Sequence, residues 1–200
     1  FKNSGRLPNI DLILPVIELR LDKFANLSAT DPWKKVNFHI IFSNKLEAEI
    51  IEVHFLKAIQ TKLKIDVNGD DDDFNEIITT DTLIQLGKRI KESSPASTQM
   101  PESDLKVGFN SLTFNFEVIH SVLQATTFKG KFLTAVGKSE WDTLRWDGSA
   151  GTKKTVINKA NFVFTALEKW ETYLTQRQKL TDQNINDKLL DCSDAHHLST

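Results

Sequence analysis

Leu189-Leu190-Asp191-Cys192-Ser193-Asp194-Ala195-His196-His197-Leu198-Ser199-Thr200 closes the 200 residues of this chain. Two leucines enter it as the end of a buried strand would, and residues able to bind a metal follow at once. Asp194 and His196 stand two apart, so in extended backbone both side chains leave on the same side. A carboxylate oxygen and an imidazole nitrogen aimed at one point suit a divalent cation such as zinc or manganese. A solvated loop also carries Asp-x-His by chance, so what lies upstream has to decide.

Upstream, strand-like and helix-like stretches alternate. Residues 161–166 (Asn-Phe-Val-Phe-Thr-Ala) read as a buried strand, 168–180 as a charged helix turning Trp170 and Tyr173 inward, and 182–187 as a polar loop. Residues 131–136 read as another strand. It delivers Gly137-Lys138-Ser139-Glu140-Trp141-Asp142 to its carboxyl end, where chemistry collects in barrel-like α/β proteins. Thr152-Lys153-Lys154-Thr155 opens a helix whose amide donors and two ammonium groups suit a phosphate, with Arg145 nearby in sequence. The plain alternative is a solvated basic helix start. Residues 112–125 form an apolar helix in which His120 is structural. Residues 93–104, with Pro95 and Pro101, read as a loop or flexible insertion within a single domain spanning 1–200.

The acidic run 70–73 tempts a calcium reading, but the sixth and twelfth positions of that loop are Asp71 and Ile77, where an EF-hand needs glycine and glutamate. Residues 82–91, capped by Thr80 or Asp81, and 45–63, capped by Asn44, carry apolar residues at helical spacing. His54 falls on the surface of the second of these. Residues 35–42 make a short strand with His39 facing opposite to Phe38 and Ile40. Residues 10–21 read as one or two strands buried on both faces. Glu18 interrupts that apolar run; unpaired burial would cost a carboxylate several kcal/mol. It therefore needs a cation or donor beside it, either a metal or Arg20 or Lys23.

Four stretches occur in the order of a known pattern: Leu14-Pro15-Val16-Ile17-Glu18-Leu19, Val36-Asn37-Phe38-His39-Ile40-Ile41-Phe42, the run from Gly130 to Ala166, and Ser193-Asp194-Ala195-His196. Together they resemble the polymerase and histidinol phosphatase (PHP) superfamily. The branch they resemble is the TrlF type, fused to an AAA-like or SMC-like ATPase, with some members linked to defence against phage. The resemblance implies a distorted (β/α)7 barrel and two or three divalent ions (manganese, zinc or iron). It also implies metal ligands at Glu18, His39, Asp194 and His196, with either Glu140 or Asp142 substituting for a histidine that this chain lacks near Gly137, or that metal position lost. Lys153, Lys154 and Arg145 are the candidate phosphate contacts. The opening His-x-His motif of such domains has no counterpart here, so the chain reads as the later part of one.

The activity so implied is metal-dependent phosphoester hydrolysis, as a nuclease on nucleic acid or on a smaller phosphate ester. The alternative is a non-catalytic module serving as scaffold or regulator of an attached ATPase; homo-oligomerisation stays open. Bulk properties fit without deciding. A chain 40% hydrophobic and 26% charged is of ordinary globular composition. The single Cys192 excludes an internal disulfide and suits a reducing cytoplasm. A formal net charge of −2 gives no global attraction to nucleic acid. No apolar run approaches the roughly 20 residues of a membrane span.

Overall fold

In a computed structural model, residues 12–21, 36–62, 64–65, 76–94, 100–137, 150–165 and 170–191 are described. Strand β1 (Val16–Leu21) pairs antiparallel with β2 (Val36–Phe42), with Glu18 opposite His39. A helical stretch follows: α1 (Ala48–Ile51), a π-helical turn (Glu52–Leu56) and α2 (Lys57–Lys62). The short strands β3 (Lys64–Ile65) and β4 (Glu76–Ile77) pair with each other. Helices α3 (Thr80–Ser93), α4 (Asp104–Ser111) and α5 (Phe116–Leu123) lead to β5 (Phe132–Val136). The chain then alternates through α6 (Ala150–Lys159), β6 (Phe162–Thr165), α7 (Trp170–Asp182) and β7 (Leu189–Asp191).

Five strands form one sheet in the order β1-β2-β5-β6-β7. β2 runs antiparallel to both β1 and β5, while β5, β6 and β7 run parallel. This overturns the expected (β/α)7 barrel. A barrel of that kind needs parallel neighbours and a closed ring, whereas this sheet is mixed and open, ending at β1 and β7. The physical reason lies in the register of β1 on β2: antiparallel pairing sets Leu19 opposite Phe38 and Ile17 opposite Ile40, so the apolar residues of both strands share the core face.

One face of the sheet makes the core. Leu19, Leu21, Phe38, Ile40, Phe42, Val136 and Val163 alternate along their strands and are all less than a tenth exposed. Phe55, from the π-helical turn, meets Phe42 and Phe128 with ring centroids 5.4 and 6.2 Å apart. Val156, Ile157 and Leu180 bring α6 and α7 into the same core. Asn161 fixes β6 beside β5: its Oδ1 accepts from the Thr134 amide at 2.9 Å and its own amide donates to the Thr134 carbonyl at 2.9 Å.

Several boundaries differ from expectation. Residues 12–15 lie outside any strand, and β1 buries one face only, leaving Val16 53% exposed. Thr79, rather than Thr80 or Asp81, caps α3; its hydroxyl accepts from the Thr82 amide in a reciprocal capping box. The stretch read as a flexible insertion ends in a helix start, with Ser103 capping α4. Gly87 and Gly108 explain how α4 lies on α3: a Cβ on either would stand 1.9 Å from a backbone oxygen of the other helix. Trp170 is 66% exposed and stacks on Tyr173, so it does not turn inward. Among the described residues, no helix is long and apolar enough to cross a membrane.

Candidate functional site

Residues directly opposite on neighbouring strands project to the same face. Glu18 stands opposite His39, and His39 opposite Ala135. Ala135 in turn stands opposite Phe162. One residue before the Val163–Leu189 pair, Lys188 comes opposite Phe162, and its carbonyl accepts from the Val163 amide at 3.0 Å. A transverse row therefore crosses the sheet: carboxylate, imidazole, methyl, phenyl, ammonium. It lies on the face away from the core, where Val16, Leu133 and Leu190 are each more than 40% exposed.

The Glu18 carboxylate and His39 imidazole meet within the row. Oε2 of Glu18 lies 3.1 Å from Nε2 of His39, with side chains 51% and 17% exposed. The partner foreseen for Glu18 was a metal, Arg20 or Lys23. Arg20 is engaged elsewhere, its guanidinium donating to the Asn110 carbonyl at the end of α4, and Lys23 lies outside the described residues. The ring of His39 also contacts Phe164 edge-on, at 5.1 Å between centroids. Ala135 and Gly137, both buried, are the small residues on the intervening strand that leave room for these two rings to meet.

With Nε2 turned to the carboxylate, Nδ1 of His39 is buried and has no hydrogen-bond partner. A buried polar atom without a partner costs about 1–3 kcal/mol. Glu18 accepting from Nε2–H selects the tautomer in which Nδ1 carries the lone pair. A carboxylate orienting an imidazole whose other nitrogen is free is the donor arrangement found behind many metal centres. In that arrangement the pair fits a divalent cation in chemistry but supplies one ligand, the imidazole with Glu18 behind it, of the three or more protein ligands such a centre needs. Among the described residues, no group of three His, Cys, Asp or Glu side chains comes together.

Of the other expected site residues, Lys154 is the one with a described side chain. Glu140, Arg145, Asp194 and His196 lie outside the described residues, as does the side chain of Lys153. Lys154 donates from Nζ to the Gln183 carbonyl at 3.1 Å, tying α6 to the end of α7. Asp191, the last described residue before Asp194, stands opposite Thr165, three residues beyond the level of the row. That places its Cα about 14 Å across the sheet and about 10 Å along it from His39.

Two surface depressions lie away from the Glu18–His39 pair. One of about 450 Å³ runs along α7, beside Leu174 and Gln178. Another of about 340 Å³ lies between the π-helical turn and Leu112 and Phe114, with Leu19 of the core face in its wall. The Glu18–His39 pair occupies an open face instead of a cleft. Phe162 and Lys188 were not foreseen as site residues. The alternation Phe-Val-Phe in 162–164 carried a signal for two aromatics on one side, but Lys188 enters the row only through the pairing of β6 with β7. No protein-family model, no curated protein and no solved structure matches this chain.

Proposed function

We propose that this chain is a metal-dependent phosphoesterase, of the nuclease kind, whose centre is built on Glu18 and His39. The observation supporting this reading is the 3.1 Å carboxylate–imidazole contact together with the buried, unpartnered Nδ1 of His39. A divalent cation, when bound, neutralises phosphate charge and lowers the pKa of a bound water. Glu18 orients the ring and fixes its tautomer. His39 presents a lone pair held in a direction set by Ala135 and Phe164. Asp194, His196 and Glu140 are proposed to complete the ligand set, with Lys153, Lys154 and Arg145 as the proposed phosphate contacts.

The test is elemental analysis of the chain beside Glu18→Gln and His39→Ala, and beside an Asp194→Ala/His196→Ala double variant. Each is assayed with manganese on bis(p-nitrophenyl) phosphate. Bound metal and hydrolysis in the parent, with both falling at least about tenfold in Glu18→Gln, is the expected result, since removing a group that orients a metal-bound histidine costs about 10–100-fold. A metal-free parent that stays inactive with manganese sinks the proposal. It would favour a second reading, a non-catalytic module attached to an ATPase, which draws support from the meeting of only two candidate ligands among the described residues.

A further inference from the structure

The row that holds the Glu18–His39 pair continues past it, and what continues is not ligand chemistry. Two strands from His39 lies Phe162, partly exposed and on the open face; three strands away lies Lys188, exposed. Among the described residues the Lys188 ammonium has no ion pair, whereas Lys57, Lys91 and Lys159 each have one. Exposed Leu133 and Leu190 flank Phe162 on the neighbouring strands of the same face. An aromatic surface between the pair on which the metal centre is proposed and an exposed cation, on an exposed sheet face, combines the two features that single-stranded nucleic acid uses: a stacking surface for bases and a positive charge for the backbone.

We propose that the row Glu18–His39–Ala135–Phe162–Lys188 is a binding track for single-stranded nucleic acid, with Phe162 stacking on a base and Lys188 holding a neighbouring phosphate. The proposal rests on the phosphoesterase reading and assigns its substrate class. From His39 to Lys188 the track measures about 14 Å between Cα atoms, the length of a few nucleotides and more than a small phosphate ester occupies. A duplex keeps its bases stacked inside, out of reach of a phenyl ring that stands on a flat face. The occupant that suits both ends of the row is therefore an unpaired strand, whose free bases stack without regard to sequence.

The experiment is fluorescence anisotropy of a labelled oligothymidylate with the chain, with Lys188→Ala and with Phe162→Leu, across a salt series. Melting curves of both variants confirm folding, and Phe162→Tyr, which keeps a stacking ring, serves as the rescue control. Phe162→Leu weakens binding at least about fivefold and Phe162→Tyr restores it, as loss and return of one stacked base require. Lys188→Ala lowers the slope of log affinity against log salt by about 0.7, one phosphate contact on a single strand. Unchanged affinity and slope in folded variants overturns the track, as does equal binding of the matching duplex. So does self-association of the chain that is lost in Phe162→Leu while oligothymidylate fails to bind. Hydrolysis of bis(p-nitrophenyl) phosphate is read separately. Its presence without dependence of oligonucleotide binding on Phe162 and Lys188 removes the track and leaves the phosphoesterase. Its absence beside intact, dependent binding removes the phosphoesterase and leaves the track.

Discussion

On one side of the sheet Leu21, Phe38, Ile40 and Val163 are at most 2% exposed; on the other, Val16, Leu133 and Leu190 of the same sheet are 53, 42 and 43% exposed. The core face is continuous with the helices, and every residue on it is fixed by neighbours. The opposite face carries the only contact between a carboxylate and an imidazole among the described residues, the phenyl of Phe162 and an unpaired lysine. Because alternate residues of a strand serve different faces, β1 and β2 give structure and chemistry from adjacent positions. Leu19 packs while Glu18 meets His39, and Ile40 packs while His39 meets Glu18. Substitutions a single residue apart should therefore separate stability from the proposed activity.

That contrast can be broken from the core side first. Phe42→Ala empties the space that Phe55 and Phe128 share with it, and should lower unfolding free energy by about 3–5 kcal/mol in denaturant titration. A loss under about 1 kcal/mol would mean that the core face is not the tightly packed one. Gly108→Ala comes next. Its new methyl meets the Leu83 carbonyl oxygen of α3, so the helix pair must part, at about 1–3 kcal/mol by the same titration. Smallest is Leu133→Ser on the open face, where a shift within about 0.5 kcal/mol is expected. A larger shift there would show that the open face is itself packed against something, and would erase the contrast.

The elements themselves were largely legible in the sequence, because the period of apolar residues reports local geometry. The strand around His39, the helix after Asn44 and the strand at 131–136 all appear within a few residues of their expected bounds. Helix α4 was missed because Gly108 lowers helix propensity and Leu105, Val107 and Phe109 alternate with Lys106 and Gly108 at a period of two, as a strand would. What the period does not report is direction. Whether β1 and β2 run parallel or antiparallel leaves the same alternation of Ile17, Leu19 and Leu21. The barrel depended on that choice, and the antiparallel pairing of β2 with both neighbours decided against it. The Glu18–His39 contact was legible in part for the same reason. Glu18 and His39 were each marked by polarity inside an apolar strand. Their register, which makes them partners, is a long-range property of the chain.

Ala135 carries one further consequence. It has no side-chain donor atom, belongs to neither element of the Glu18–His39 pair, and is fully buried on the face that carries exposed Val16, Leu133 and Leu190. Its methyl group sits between the imidazole and the strand that bears Phe164, so the volume at this position determines how far the ring leans. The aim of the histidine is therefore adjustable by a residue with no chemistry of its own. One methylene added at position 135 would shift the imidazole while leaving Glu18, His39 and Phe164 themselves unchanged.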